Sequence, residues 1–460
     1  AVTWVVTGPQ PLETLIPLHA GWNLIGYPSS VSRPIKPALS GIADVLIKAQ
    51  AHDASDAADP WEVYVPGAAG NDLTEMAPGR GYWTYVTDDT ALTVQRDWPA
   101  VEKCGTIGED ETWETGYVYL VTCDVTVSSG VTLTVEADTV VKFLGSRSLF
   151  VEGKLDAIGT QEQPVVFTSI KQDAYGGDTN LDGNATSPAP GDWYSIMIQD
   201  GTLSLDHAVV QYGGGREYSG CRYTPYGMIS QSWRQEACAA SGHYSAQINI
   251  TNSTISHSGL AAVYLGSGTG ISGRLSIQDS ALLNSNGGGV TVGDGFPVTI
   301  EASTISGNAG TGVYVDSTDP VTLTNSVLDN NGAYAASLAV SGQSVALSGN
   351  SGENNFYHAI RFTGTYNDIT LAPQGSMVYQ LGGTLPAGKT MNLPAGTIAK
   401  LSGGSSLTVL GTLNGQGTSS APVVFTSWKD DSYGGDTNGD GNTTSPAPGD
   451  WYSIMIQDGT

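Results

Sequence analysis

The sequence has few positively charged residues. Lys and Arg together number 18 among 460 residues, against 44 Asp and Glu, and the net charge is −26. A nucleic-acid partner needs a basic face to meet its phosphates, so this balance argues against such a partner. It favours divalent cations and solubility instead. Only 13% of residues are charged while 60 are Gly, and this turn-rich composition favours an all-β chain.

Long apolar segments are also missing. No apolar run reaches the length of a transmembrane helix, so we expect no membrane insertion in this segment. No signal peptide stands at Ala1, which indicates a mature or truncated start.

Cysteine is rare, with four residues in two local pairs, Cys104 with Cys123 and Cys221 with Cys238. Four cysteines allow three connectivities. We predict local pairing, because each pair brackets a short irregular segment. The alternative is four reduced, buried thiols. If the disulfides form, the compartment is oxidising and the protein is extracellular.

One stretch of the chain occurs twice. Pro164–Thr202 and Pro422–Thr460 align without a gap at a constant offset of 258 residues. The match extends backwards, so that residues 139–143 align with residues 397–401. Because a 258-residue unit begins again near residue 375, we expect this chain to be a segment of a longer tandem repeat. The copies differ at Ile170/Trp428, Gln172/Asp430, Ala174/Ser432, Leu181/Gly439 and Ala185/Thr443.

A shorter period appears between residues 245 and 365. Its apolar anchors lie 27, 23 and 23 residues apart, at Ile255, Leu282, Ile305 and Leu328. A period in the low twenties with two or three short strands per repeat is typical of a solenoid. Each repeat also has Ser or Asn at one turn position. Stacked amide side chains can hydrogen-bond along the axis, and Asn tolerates the left-handed bend that we expect at this position. These turn residues are Ser258, Ser285, Asn308, Asn331 and Asn355.

From about residue 104 to residue 460 these repeats resemble the bacterial right-handed β-helix repeat family. The resemblance implies a right-handed parallel β-helix. We therefore predict an all-β chain with a small β-rich domain at 1–98, a β-helix unit at 104–374 and the start of a second copy at 375–460. Residues 213–245 interrupt the coils, and we predict an outward loop there, closed by a disulfide between Cys221 and Cys238.

Residues 1–98 contain short runs typical of strands, at 2–6, 21–28, 44–48, 61–65 and 81–86, and a short helix is predicted at 37–42. The Gly-Trp-Asn-Leu-Ile start at 21–25 and the Pro-Gly-Arg-Gly-Tyr-Trp end at 78–83 resemble a small domain of bacterial and archaeal surface proteins. The resemblance implies a surface location and no activity. We expect Trp22, Trp61 and Trp83 to form the core of this domain. The alternative is a sugar site that binds surface polysaccharide.

In both copies of the repeated stretch, oxygen-bearing side chains occur at every second position, counted from Asp178 in the first copy and Asp436 in the second. Gly follows at the sixth position of each loop. This is the first half of an EF-hand calcium loop, in which alternate oxygens surround the cation and Gly permits the sharp turn. The segments resemble EF-hand and dockerin-like loops, which implies Ca²⁺. The predicted ligands are Asp178, Asn180, Asp182 and Asn184 in the first copy and Asp436, Asn438, Asp440 and Asn442 in the second.

The EF-hand pattern is incomplete, because the twelfth position holds Ala189 or Ala447 in place of an acid. We predict Asp192 and Asp450 as additional ligands. Upstream Asp173, backbone carbonyls or water could close the site instead. An Asx-turn loop without metal is the other interpretation.

These features predict an extracellular structural or adhesive protein. It would be a calcium-stabilised β-helix of tandem units in a filament, stalk or surface layer, which self-associates or continues into further repeats. The coil with residues 451–456 has no recognisable cap, and an open coil end favours such association. The alternative is a polysaccharide lyase or glycosidase of the β-helix type. That chemistry needs a base near bound calcium or paired carboxylates. The coils between residues 250 and 345 have few candidate carboxylates, Arg274 is the only Lys or Arg there, and His257 is isolated, so we predict no enzyme.

Overall fold

The structure is a computed structural model that describes residues 13–29, 32–55, 59–95, 98–182, 185–215, 227–231, 244–268 and 270–460. The chain divides into two compact units. The first comprises residues 1–101, 116–118 and 170–188. The second comprises residues 102–115, 119–169 and 189–460.

The first unit contains small antiparallel sheets, because Gly, Pro and Asp interrupt its apolar runs after a few residues. The main sheet has four strands in the order Gly21–Gly26, Gly81–Val86, Leu46–His52 and Trp61–Tyr64. The remaining elements are the strand pair Glu13–Leu18 with Thr90–Gln95, the pair Arg33–Pro34 with Glu75–Met76, the α-helix Ile35–Ala38 and the 3₁₀ helix Ser40–Ile42. The strand predicted at residues 2–6 lies outside the described residues.

The three tryptophans do not form the core of this domain, and that prediction was wrong. Trp22, Trp61 and Trp83 are 50%, 43% and 39% exposed. The cause is the two-residue alternation of a strand. Tyr82 and Val86 are fully buried, so Trp83 between them points to the opposite face. The core is mainly aliphatic, with Leu18, Ile25 and Leu92 among its residues, and it also includes Tyr27 and Tyr82.

The second unit is a right-handed parallel β-helix, as predicted, and its strands form three faces. The first face contains Val118–Val127, Ser148–Val151, Ser195–Ile198, Gly227–Gln231, Ala261–Leu265, Val290–Val292, Val313–Asp316, Tyr334–Ser341, Tyr357–Thr365, Gly383–Leu385, Ser406–Val409 and Ser453–Ile456. The second contains Val140–Phe143, Val165–Ser169, Ala208–Gln211, Thr254–Ser256, Ala281–Leu283, Thr304–Ser306, Val327–Asp329, Val378–Gln380, Ile398–Leu401 and Val424–Ser427. The third contains Glu111–Trp113, Thr132–Glu136, Lys154–Ile158, Thr202–Asp206, Tyr244–Thr251, Ile271–Gln278, Val298–Glu301, Val321–Thr324, Val345–Ser348, Ile369–Thr370, Thr390–Pro394 and Thr412–Gln416.

The predicted register of the coils is confirmed. Ile255 lies opposite Leu282, Leu282 opposite Ile305, and Ile305 opposite Leu328 in parallel pairs. All four side chains are fully buried. Each coil therefore places one aliphatic residue on top of the last, and the stack forms a continuous apolar interior.

The predicted turn ladder is also confirmed, with one correction. Asn308 Nδ2 donates to Asn331 Oδ1 at 3.0 Å, and Asn331 Nδ2 donates to Asn355 Oδ1 at 3.0 Å. The left-handed residue, however, is the one before each ladder position. It has a φ of 54° at Asn284 and 53° at Asn330. Asn tolerates this conformation, so the bend and the ladder are made by neighbouring residues.

A strand at Ala100–Ile107 precedes the coils. Its Cys104 forms a disulfide with Cys123 in Val118–Val127, at an S–S distance of 2.02 Å. This pairing was predicted, and it excludes reduced thiols at these two positions. Cys221 and Cys238 lie outside the described residues, as does most of the loop predicted at 213–245.

Candidate metal centre

The Asp-rich loops leave the β-helix at equivalent places in both copies. Each begins where a second-face strand ends, at Ser169 or Ser427, and ends where a first-face strand begins, at Ser195 or Ser453. Proline and glycine recur in these segments and prevent regular strand pairing. A long loop is therefore inserted at one corner of the coil.

Three carboxylates come together in each loop. Asp431, Asp436 and Asp440 each place one oxygen within 4.8 Å of the other two. The cluster of Asp173, Asp178 and Asp182 meets the same criterion. Oxygens that bind one Ca²⁺ at about 2.4 Å lie no more than about 4.8 Å apart. The spacing of both clusters therefore suits a shared cation.

Hydrogen bonds hold the second cluster in shape. The Asp436 carboxylate accepts from the backbone N–H groups of Asp440 and Gly441 at 3.1 and 2.7 Å. Asp440 Oδ2 accepts from Asn438 Nδ2 at 2.9 Å and from the Thr444 hydroxyl. The bond from Thr444 is the main cause that lowers the pKa of Asp440. The first loop has the equivalent contacts, in which Asp182 Oδ2 accepts from Asn180 Nδ2 and from the Thr186 hydroxyl.

Each Asp-rich loop has a buried side-chain oxygen without a hydrogen-bond partner. These oxygens are Asp431 Oδ1 in the second loop and Asn180 Oδ1 in the first. A buried oxygen without a partner costs free energy, and a bound cation would satisfy it. Burial, followed by the neighbouring Asp436 carboxylate, raises the pKa of Asp431. A divalent cation would offset this repulsion, so the residues present fit calcium.

The structure does not bring Asp192 or Asp450 into the clusters. Asp450 accepts hydrogen bonds from Ser427 Oγ at 2.7 Å, Lys429 Nζ at 2.7 Å and the Ala447 N–H at 2.8 Å. Asp192 accepts from Ser169 Oγ at 2.7 Å and the Ala189 N–H at 3.0 Å. Both carboxylates tie the end of the loop to the strand where it began.

The remaining predicted ligands are the later asparagine of each loop, Asn184 in the first and Asn442 in the second. Asn442 is exposed, and Asn184 lies outside the described residues. The third acid of each cluster is therefore the upstream Asp173 or Asp431, which was one of the open alternatives. The sequence contains a signal for it, since both copies place Asp five residues before the first loop Asp.

Sequence reasoning missed the lysine beneath the second loop. Lys400 is fully buried in the strand Ile398–Leu401. Its ammonium donates to the Gly435 carbonyl at 3.1 Å and to Thr437 Oγ1 at 2.6 Å. Burial lowers the pKa of Lys400 to about 8, against the opposing effect of Asp431 and Asp430. A lysine in an otherwise apolar strand, repeated as Lys142, is the signal that could have revealed it.

A separate cavity of about 460 Å³ lies on the third face, where the strand ladder is interrupted between Val345–Ser348 and Ile369–Thr370. Asp368 is the one ionisable residue in its lining. The Asp368 carboxylate accepts from the Thr390 N–H at 2.8 Å and lies 3.4 Å from Lys389 Nζ. The hydrogen bond from Thr390 is the main cause that lowers its pKa.

Comparison with known families agrees with this architecture. Residues 229–373 match a family model described as "Right handed beta helix region", and residues 105–216 match one described as "Pectate-lyase like beta helix domain". A comparison with curated proteins and with solved structures finds no match. Within the described residues, no helix has both the length and the apolar character needed to cross a membrane. The fold and the family matches together identify a β-helix repeat protein.

Proposed function

We propose that the protein is an extracellular structural or adhesive protein whose β-helix is stabilised by Ca²⁺ in both Asp-rich loops. The observation that carries this proposal is the recurrence of three clustered carboxylates at equivalent positions in the two copies. The Cys104–Cys123 disulfide supports an oxidising, extracellular location.

Calcium would stabilise the fold because it neutralises carboxylates that otherwise repel one another. The loops join two faces of the coil, so ordering them restrains both faces. A ligand that binds only the folded state stabilises it by mass action. Lowering the free calcium concentration would therefore lower the stability of the protein.

The test is calcium titration by calorimetry, combined with thermal unfolding in calcium and in chelator. We expect two sites per chain and a lower Tm in chelator. Asp431→Asn should leave one site, and Asp173→Asn with Asp431→Asn should leave none. Asp458→Asn is the matched control, because Asp458 is exposed and lies outside both clusters. Two sites in the double variant, or a Tm that ignores chelator, would rule out calcium at these loops.

A second part of the proposal concerns assembly into tandem units. The coils of the first copy continue into the second by parallel pairing, with Ala359 opposite Val378 and Tyr379 opposite Ala399. Units joined in this way add along one axis, as in other solenoids. We therefore infer a stalk, filament or surface-layer role through further repeats or self-association. Sedimentation at increasing protein concentration tests self-association, and a constant monomer would contradict it.

The third part concerns surface polysaccharide as a ligand of the four-stranded sheet. Trp22 pairs with Tyr85 across the sheet at a ring distance of 5.3 Å, and Trp61 contacts His52 at 5.0 Å. Trp83 lies between these pairs, beside Gln50. Flat exposed rings interleaved with polar side chains suit the stacking of sugar rings.

Affinity electrophoresis in gels containing neutral and uronate polysaccharides tests this face. We expect at least one polysaccharide to retard the protein, and Trp22→Ala with Trp83→Ala to abolish the retardation. Tyr314→Ala is the matched control, because Tyr314 is a similarly exposed aromatic residue on the coils. Equal retardation of all three proteins would contradict a sugar site here.

The alternative function is a polysaccharide lyase or glycosidase. The observation that favours it is the match of residues 105–216 to the pectate-lyase-like model. Against it, Lys400 beside the second cluster is buried and already donates to the loop. The described cavity on the third face contains one ionisable residue. Release of unsaturated or reducing sugar from pectin or alginate would establish this alternative.

A further inference from the structure

The two copies of the Asp-rich loop are nearly identical, so the few differences between them are informative. Five positions differ between Pro164–Thr202 and Pro422–Thr460. Two of the second-copy residues, Trp428 and Gly439, contact coils that belong to the first copy. These contacts cross the junction between tandem units near residue 375.

Trp428 completes an aromatic cluster on the first copy of the 258-residue repeat. Its ring lies 6.0 Å from Tyr357 and 6.3 Å from Tyr334, which are 4.6 Å apart. Arg361 adds a cation 5.6 Å from the Tyr334 ring. Packed aromatic rings contribute stability beyond the area that they bury. The first copy has Ile170 at this position and cannot make ring contacts.

Gly439 permits a close approach to Phe356. A Cβ at residue 439 would lie 2.8 Å from the Phe356 carbonyl oxygen and 3.2 Å from its Cζ atom. The backbone turn alone does not require glycine, since Leu181 in the first copy adopts a similar φ of 57°, against 70° at Gly439. Leu181 is 69% exposed, so its side chain has room that Gly439 lacks. Glycine is needed here for the contact with the preceding unit.

The second loop therefore reaches back along the axis. It leaves the coil at Ser427, covers Lys400 one coil earlier and meets Phe356 next to a strand three coils earlier. With strands about 4.8 Å apart, this is a reach of roughly 14 Å. The other three differing residues contact the loop or its own strand. Ser432 donates to Asp430, which accepts from Thr426, and Thr443 donates to the Asp440 carbonyl.

We propose that the aromatic platform of Tyr334, Phe356 and Tyr357 is a recognition surface for the Asp-rich loop of the unit that follows. A loop with Trp428 and Gly439 fits this platform. A loop with the first-copy residues Ile170 and Leu181 does not, so the two loop types specify the order of units in the array. This inference does not depend on whether the loop binds calcium.

The test is hydrogen exchange of the full chain, read by peptide mass spectrometry in saturating calcium and again in chelator. Trp428→Ile and Gly439→Leu introduce the first-copy residues. We expect each to speed exchange in residues 428–445 and 356–362 by about tenfold or more, because local opening becomes easier. Thr443→Ala, also a first-copy residue, and Leu181→Gly in the first loop are the controls and should leave exchange there within about twofold.

A second measurement covers the case in which Gly439→Leu fails to fold. Trp428→Ile, Tyr357→Ala and their combination form a double-mutant cycle on the same exchange rates. If Trp428 and Tyr357 stabilise the same contact, the combined variant should exchange no faster than the more affected single variant. Rates that multiply independently, single-variant effects below tenfold, or equal effects in the controls would overturn the proposal. The result in chelator separates this proposal from the calcium proposal, since the contacts of Trp428 and Gly439 with the aromatic platform should persist there.

Discussion

Lys400 Nζ donates a hydrogen bond to Thr437 Oγ1 at 2.6 Å, and both residues are fully buried. The lysine belongs to a coil strand, whereas the threonine lies between the clustered acids Asp436 and Asp440. The same ammonium donates to the Gly435 carbonyl. One cation from the coil thus holds the base of the Asp-rich loop.

Replacing this lysine should loosen the loop. Lys400→Met retains the length of the side chain but leaves the Gly435 carbonyl and the Thr437 hydroxyl without their donor. We expect a loss of about 1–3 kcal/mol in the free energy of unfolding, measured by denaturant titration. Lys389→Met is the control, because Lys389 forms only an exposed pair with Asp368. A loss no greater than that of the control would contradict the anchoring role.

The same lysine predicts a dependence on pH. Its pKa is lowered from 10.5 to about 8 in the folded state, so between these values the unfolded chain binds more protons. Stability conferred by Lys400 should therefore rise as pH increases from about 8 to about 10.5. In calcium-free buffer, the difference in unfolding free energy between the native protein and Lys400→Met should increase over this range. A flat or falling difference would contradict the lowered pKa.

Asp450 should behave as a structural residue and not as a calcium ligand. The hydrogen bond from Lys429, followed by those from Ala447 and Ser427, lowers its pKa from 3.8 to about 2. Its stabilising effect is present above about pH 3.8 and is lost as pH falls towards 2. Asp450→Asn should thus lower stability at pH 7, with a difference that disappears near pH 2, and should retain two calcium sites. Loss of one site in the calorimetric titration would instead make Asp450 a ligand.

Periodic features of the fold could be predicted from the sequence. Ile255 and Leu282 fix the register because a stacked coil repeats its inward residue at each turn. The Asn308–Asn331 contact follows from the same repeat. Both features depend on residues that recur at regular spacing, and such spacing is visible without coordinates.

Features that depend on long-range contacts could not be predicted in this way. Trp83 resembles a core residue by composition, and which face of its strand meets the core is decided by the elements that pack against that strand. Asp431 closes its cluster from upstream, opposite to the EF-hand pattern, and the sequence could offer this residue only as one of several alternatives because the path of the loop decides which acid approaches. The approach of Gly439 to Phe356 joins the loop to a coil three turns earlier, and no local sequence pattern indicates such a contact.

The Cys104–Cys123 disulfide should stabilise the start of the β-helix. It joins residues 19 apart, and a loop of this length corresponds to about 3 kcal/mol in the chain-entropy model. Cys104→Ser with Cys123→Ser should lower the free energy of unfolding by about 2–4 kcal/mol in denaturant titration. The native protein treated with reductant loses this bond together with the one predicted between Cys221 and Cys238, so it should lose at least as much stability. An unchanged midpoint in both would show that the bond adds no stability.

The asparagine ladder should contribute to the free energy of unfolding of the β-helix. Asn331 is buried and bridges its neighbours, since it accepts from Asn308 and donates to Asn355 at 3.0 Å each. Asn331→Ala would remove three buried hydrogen bonds, with the side chains of Asn308 and Asn355 and with the Ile305 carbonyl, and each contributes about 0.5–1.5 kcal/mol. We expect a total loss of about 2–5 kcal/mol in denaturant unfolding. Asn286→Ala is the control, because Asn286 is exposed, and it should change stability by no more than about 0.5 kcal/mol. A loss in Asn331→Ala no larger than the loss in Asn286→Ala would contradict a stabilising role of the ladder.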